Sequence, residues 1–414
     1  MAFNMLCWLV AILTVVILVN FLNEKVLKIP VEITLLLSGV FLGGLMLFLD
    51  NYCHLFTVPI RVNDFFLDDY LMNGVLCFML FAGASRLRFH FLATQLYLVL
   101  ALSLVTTVLT TFFYGFIFYG CLTLFGLYVS FFDCLLLGAI IGPTDPIAAM
   151  SILRKVGLPE DVALAIEGES LFNDGVGVAI FVVVSGMVTG NASGGFFSIM
   201  TREVIGAGII GLICCALTYF FFIKTENCYS RVCTSIVAVG SAYIFSTLFE
   251  CSGAIASVVV GIFYASMVGA REDESFHEYY VFRTFWDAMN IVLNNMLYVM
   301  IGLCIVNMHT FAAMGIIVVT SLVVNLLARY AGVLFVAVGF KGKLPNEYKV
   351  IPFTNLLTWA GLKGGLCVAL AMSTHKILSP YIFNIVMVCT MAIVLFTTCI
   401  QGITIGKLYL SQKE

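Results

Sequence analysis

From Phe91 to Leu153 the chain runs for 63 residues without a lysine or an arginine. A water-facing surface cannot be built from such a stretch, and it is only the longest of many apolar runs. Of the 414 residues, 62% are hydrophobic and 10% charged, whereas soluble proteins carry about 45–50% apolar and about 25% charged residues. The mean hydropathy is +1.10. A soluble protein of this size must show much of its side-chain area to water, so the solvent over most of this surface is lipid. That excludes a soluble enzyme, a secreted domain and a nucleic-acid binder, and the net charge of −3 selects no partner. Alternating ten-residue strands are absent, which points to a helical bundle rather than a barrel. The 14 cysteines are scattered through apolar runs and read as small hydrophobes, with no disulfide framework and no metal motif.

A crossing helix needs about 20 apolar residues. Charged and Gly- or Pro-rich breaks divide the chain into thirteen stretches, at about 5–22, 31–49, 67–85, 91–121, 131–153, 158–188, 200–223, 232–250, 252–270, 284–306, 311–340, 350–374 and 380–406. The first lacks a basic leader and a cleavage site, so it is a retained span. The run from Phe91 is read as two spans, because three would put Arg86 and Arg88 on the face opposite Arg154 and Lys155. The turn falls between Gly126 and Asp133, with Asp133 capping the next helix. With the N-terminus outside, outer loops hold only Arg61, Arg202 and Lys376. Arg329 and Lys363 lie inside spans, and the other 15 of the 20 basic residues face the cytoplasm. The expected orientation is N-out, C-in. The outer loop from Asp50 to Asp69 is a solvated loop or a cation funnel, and Asn191-Ala192-Ser193 is a formal glycosylation sequon.

Charge at the centre of a membrane helix costs at least about 2.5–3.5 kcal/mol per residue, so buried ionisable groups are functional candidates. Here they are Asp145 in span 5, Glu167, Glu169 and Asp174 in span 6, Arg329 in span 11 and Lys363 in span 12. Span 5 contains Gly142-Pro143-Thr144-Asp145-Pro146. Two prolines three apart cannot sit in a regular helix, and unwound backbone at that depth must line a cavity or be buried in protein. Span 12 contains Gly361-Leu362-Lys363-Gly364-Gly365, a second break that also carries a charge. If span 7 is a linker, these breaks occupy the fifth position of two six-span halves, the pattern of an inverted-repeat secondary transporter. The expected fold is an all-α polytopic membrane protein. One transmembrane domain over 1–414 comprises repeat 1 (about 5–188), a linker helix (about 200–223) and repeat 2 (about 232–406).

At 100° per residue, Glu167, Ser170 and Asp174 share one helix face, and Glu169 and Asn173 share the next. Asp174 can thus meet the first break with Ser170 below it. A hard monovalent cation wants oxygen ligands, and a carboxylate, a hydroxyl and a backbone carbonyl supply them. A carboxylate can also hold a proton. One group that binds either ion but not both gives exchange.

At these residues the chain resembles the sodium/proton exchanger branch of the monovalent cation:proton antiporters. The resemblance rests on Gly142-Pro143-Thr144-Asp145-Pro146 and Gly168-Glu169-Ser170-Leu171-Phe172-Asn173-Asp174-Gly175. It is extended by Cys251 to Ala256, Asn294 to Leu303, Leu327-Ala328-Arg329-Tyr330 and Trp359-Ala360-Gly361-Leu362-Lys363-Gly364, in that order along nearly the whole chain. It implies a homodimer in the inner or plasma membrane, with one part dimerising and a core of spans 5, 6, 11 and 12 moving like an elevator. It implies exchange of Na+ for H+ without a cofactor, with Asp174 as the carrying carboxylate. Ser170, the Thr144 carbonyl, Asn173 and Asp145 complete the ion site, and Glu169 forms a structural salt bridge with Arg329. The Asn173-Asp174 pair marks the electroneutral branch, one cation per proton. Three features depart from the family pattern: Lys363 stands where Arg is usual, Ala82 replaces a Glu that some prokaryotic members place near the ion, and no long regulatory tail is expected after span 13.

Glu167, two turns before Asp174, is solvated or gating, and His277 is a candidate cytoplasmic pH sensor. Potassium or lithium in place of sodium is not separable by residue types. A cation channel would need a continuous pore, against which two halves with broken helices argue. No nucleophile-base pair or His/Glu metal motif suggests an enzyme.

Overall fold

In the computed structural model the described residues are 2–53, 75–86, 89–127, 129–190, 196–225, 227–269, 276–306, 314–345 and 348–412. No strand occurs among them. The helices are α1 (Ala2–Leu22), α2 (Val31–Cys53), α3 (Leu76–Ser85), α4 (Phe89–Leu100), α5 (Thr106–Leu124), α6 (Phe131–Ile140), α7 (Ile147–Leu153), α8 (Glu160–Thr189) and α9 (Phe196–Thr201). They continue as α10 (Ala207–Lys224), α11 (Cys228–Leu248), α12 (Gly253–Gly269), α13 (Phe276–Val306), α14 (Met314–Gly339), α15 (Val350–Ala360), α16 (Gly365–Ser373), α17 (Pro380–Phe396) and α18 (Gly402–Ser411). Wide π-helical turns join α4 to α5, α9 to α10 and α17 to α18, so each pair runs as one long helix. Among the described residues eight helices are long and apolar enough to cross a bilayer. The bent pair α15–α16 makes a ninth when taken as one span. Four shorter apolar helices lie at Val31–Met46, Leu76–Ser85, Phe131–Ile140 and Gly253–Val268.

Sequence chemistry sets the ends of these helices. The turn after α5 lies where expected, with Gly126 at φ +71. Ser130, not Asp133, caps α6: its backbone is extended and its Oγ accepts the Phe132 N–H at 3.2 Å. Asp133 lies inside the first turn, where its charge still suits the positive end of the helix dipole. The sequon and the loop residues Asp64, Asp68 and Asp69 fall outside the described residues.

Both expected breaks are present. Residues 141–146 are non-helical between α6 and α7, because Pro143 and Pro146 carry no N–H and their rings clash with a preceding turn. Residues 361–364 are non-helical between α15 and α16, which meet at a 60° bend.

The helices pack as two bundles. In the first, α13 lies along α2 and α3, α10, α11 and α12 pack on one another, α11 and α12 pack on α3, and α11 packs on α13. An aromatic cluster holds it together. Phe81 packs on Trp286 at 4.4 Å between ring centroids, and Phe222 on Tyr264 at 4.7 Å. The polar tips are satisfied as buried Trp and Tyr require: Trp286 Nε1–H donates to Ser235 and Tyr264 O–H to Thr218. In the second bundle, α5 packs on α6 and α14, α8 on α4 and α6, and α14 on α15 and α17. Within its most apolar stretch, α8 is 61% buried, whereas the stretch containing α10 is 22% buried and turns Leu212, Leu217 and Phe221 outward. The helix carrying the three deep acids Glu167, Glu169 and Asp174 is therefore central, and α10 lies at the lipid-facing edge.

Candidate ion-binding site

The two breaks cross each other. The Asp145 N–H donates to the Leu362 carbonyl at 2.8 Å, so each break supplies a partner for the other. Close approach is possible because of glycine. A methyl added at Gly364 would lie 2.7 Å from Asp145 Cβ, and one at Gly177 on α8 would lie 2.5 Å from Pro143 Cγ. The Lys363 ammonium, fully buried, reaches across to the Gly142 and Pro143 carbonyls, each at 3.2 Å. Those carbonyls lost their helical donors where the chain unwound, and the lysine replaces them.

Helix α8 presents two polar faces to this crossing. Glu169 and Asn173 point into the second bundle. Arg329 on α14 grips Glu169 through both oxygens, Nη1 to Oε1 at 2.7 Å and Nη2 to Oε2 at 2.8 Å. Both side chains are nearly inaccessible. Asn173 accepts the Thr144 N–H at 3.1 Å, and its amide donates to Thr144 Oγ1 at 2.7 Å and Glu169 Oε1 at 2.9 Å. It thereby ties the first break to the ion pair.

The other face, Glu167, Ser170 and Asp174, lines a cavity of about 1060 Å³. The cavity extends from the exposed side chains of Arg86, Arg154 and Glu160 inward to Thr144, Asp145, Ser170 and Asp174. Ser170 Oγ–H donates to the Thr144 carbonyl. The hydroxyl and the carbonyl therefore bond each other, leaving lone pairs on both oxygens. Asp145 is held on both oxygens: Oδ1 accepts the Ile147 N–H at 2.9 Å and Oδ2 the Tyr298 O–H at 2.6 Å. Asp174 has no hydrogen-bond partner among the described residues, and it lies within the electrostatic reach of Asp145, Lys363 and Glu169. Glu167 pairs with Arg154 at 2.7 Å near the rim.

Helical spacing alone had separated these two faces correctly. Tyr298 was missed: it sits in an apolar run, and the only signal was that a buried phenol needs a partner. Ala82 is fully buried in the first bundle, and α3 lends Met79, Leu80 and Gly83 to the cavity instead. The backbone at His277 lies in the first turn of α13.

Comparison with known proteins decides the family. The transmembrane sodium/hydrogen exchanger family matches residues 10–410. The chain belongs to the sodium/hydrogen exchanger family. It is 31% identical over 395 residues to the Na(+)/H(+) antiporter NhaH of Halobacillus dabanensis, covering 93% of this chain and 92% of that protein. Against the Na(+)/H(+) antiporter NhaP of Pseudomonas aeruginosa it is 31% identical over 366 residues, 84% of this chain and 82% of that one. The solved structure of the sodium proton antiporter MjNhaP1 from Methanocaldococcus jannaschii at pH 8 shares the fold. Its TM-score is 0.78 at 21% identity, covering 99% of this chain and 98% of that one. As a sodium/hydrogen exchanger family member the chain is a multi-pass protein of the cell membrane, and a transporter rather than an enzyme.

Proposed function

We propose that this exchanger carries one Na+ against one H+ across the membrane, electroneutrally and without a cofactor, with cation and proton competing for Asp174. One observation carries the reading. Every other buried charge at the crossing is matched: Glu169 by Arg329, Asp145 by Tyr298 and a backbone N–H, Lys363 by two carbonyls. Asp174 alone of these charges lacks such a partner, and it faces the cavity. A carboxylate that the protein leaves unpaired in a place where charge is expensive is kept for a transient partner. Ser170 Oγ and the Thr144 carbonyl lie beside it in the cavity wall and would complete an oxygen shell for Na+. Asn173 adds no second titrating charge, which suits one cation per proton.

The arrangement of bundles supports alternating access. The second bundle, α4–α8 with α14–α18, holds both breaks and all six deep charges, and it would move as the transport core. The first would be the scaffold and the dimer interface of a homodimer. Each bundle draws helices from both halves of the sequence, as two inverted repeats about the linker α10 would supply. The eight long helices and the bent pair would make up thirteen spans if each of the four shorter apolar helices also crosses. With N-out, C-in orientation, the cavity opens to the cytoplasm, where Arg86 and Arg154 lie.

Reconstitution into liposomes tests this. An imposed Na+ gradient should drive protons the other way, at a rate unchanged when the membrane potential is clamped to zero. Asp174→Asn should abolish exchange. Full exchange in that variant rejects Asp174 as the carrier, a strong voltage dependence rejects one-for-one exchange, and equal drive by K+ rejects sodium selectivity.

A further inference from the structure

The scaffold and core bundles meet mostly through small and apolar residues. Gly175 on α8 lies against Ile255 on α12, Gly365 on α16 against Leu297 on α13, and Gly83 on α3 against Leu171 on α8. Such contacts slide. The hydrogen bond from Tyr298 to Asp145 is different: it runs from α13 of the scaffold to the first break of the core at 2.6 Å, and Tyr298 is almost fully buried.

We infer that Tyr298 is a positioning residue that latches the core to the scaffold in the cavity-open arrangement and sets which side of the membrane the ion site faces. Four features of its surroundings argue for this. The bond is charge-assisted, so it belongs to the stronger class of hydrogen bonds. It lands on Asp145, whose own N–H is tied to Leu362 in the second break and whose Oδ1 caps α7, so a pull on this carboxylate acts on both crossing breaks. The adjacent residue on α13, Leu297, packs on Gly365 at the end of the second break, so one turn of the scaffold holds both. Finally, Glu32 at the start of α2, a buried scaffold acid, is near enough to repel charge on Asp145. In this register Glu32 and Asp145 oppose each other, and the Tyr298 hydroxyl supplies the donor that makes the approach favourable. When the core shifts against the scaffold, this donor and acceptor part.

The inference rests on the proposed movement of core against scaffold, and its test has an arm that needs no transport. Tyr298→Phe removes one oxygen and keeps the ring. In the reconstituted full chain, the apparent KM for Na+ is measured separately on the cavity side and on the opposite side. Each is inversely proportional to the fraction of protein facing that side. Losing one charge-assisted hydrogen bond should therefore raise the ratio of cavity-side to opposite-side KM by about tenfold. In a Ser266→Cys background, a thiol reagent added from the cavity side should label position 266 more slowly when Tyr298 is Phe, as read by peptide mass. Ser266 lines the cavity from α12. An unchanged KM ratio overturns the latch, whether or not the maximal rate falls. So does an equal rise on both sides, or unchanged labelling. Slower labelling in a protein that shows no sodium-coupled proton flux would keep the latch and reject the exchange reading instead.

Discussion

Two carboxylates five residues apart on α8 have opposite surroundings. Glu169 is buried and gripped on both oxygens by Arg329, with Asn173 adding a third hydrogen bond. Asp174 looks into the cavity with no hydrogen-bond partner among the described residues. Both sit at a depth where charge is costly, so burial alone does not separate a structural acid from a working one. Satisfaction separates them. Glu169 has a partner on each oxygen, and removing one side of the pair would leave a charge stranded. The Asp174 pocket lacks a partner among the described residues, so on the proposed reading removing its charge should take away function more than cohesion.

The sharpest way to break this contrast is to neutralise each acid in turn. Glu169→Gln leaves the Arg329 guanidinium buried and half-paired. Breaking a buried pair from one side costs about 3–5 kcal/mol, so we expect a large fall in thermal stability of the detergent-purified protein and poor yield. Adding Arg329→Gln should restore part of the loss, because the stranded charge goes with it. Asp174→Asn should melt at or above the temperature of the parent protein while exchanging no ions. Similar melting temperatures for the two single variants would remove the distinction.

A smaller effect tests the oxygen shell. Ser170→Ala deletes the hydroxyl that bonds the Thr144 carbonyl and that we place in the shell with Asp174. One neutral hydrogen bond or ligand is worth about 1 kcal/mol net. The KM for Na+ should rise about fivefold by that measure, with the maximal rate nearly kept. It is read from the sodium dependence of proton flux at fixed pH. An unchanged KM would assign Ser170 to bracing the break rather than to the ion.

Much of this contrast was legible in the sequence, for identifiable reasons. Pro143 and Pro146 forbid a helix by covalent structure alone, so the first break needed no tertiary information. The 3.6-residue period placed Glu167, Ser170 and Asp174 on one face, and the cavity lies along that face. The match of Arg329 to Glu169 came from family resemblance; spacing across 160 residues could not supply it. Two things were hidden because they depend on packing between distant segments, and a third because a helix boundary is fixed only loosely. Lys363 caps the carbonyls of the opposite break, which only the crossing geometry brings near. Tyr298 reads as one more aromatic in an apolar run until Asp145 appears beside it. Ser130 displaced Asp133 as a cap because the helix starts at Phe131, and cap identity shifts with a boundary that periodicity fixes only loosely.

The smallest expected effect lies on the same helix face, at the rim. Glu167 pairs with Arg154 at 2.7 Å, but the side chains are 28% and 52% exposed. Water and salt screen such a pair, and exposed pairs are worth about 0.2–1 kcal/mol. Glu167 shares its helix face with Asp174 two turns away, yet it has a partner and a hydrated setting that Asp174 lacks. Glu167→Gln should therefore change the KM for Na+ by no more than about twofold at low ionic strength, and the difference should vanish in about 0.5 M of an untransported salt, where the screening length falls below 5 Å. If Glu167→Gln instead reduced exchange as deeply as Asp174→Asn, satisfaction would no longer predict which acid on α8 does the transport, and the rim pair would have to be a gate.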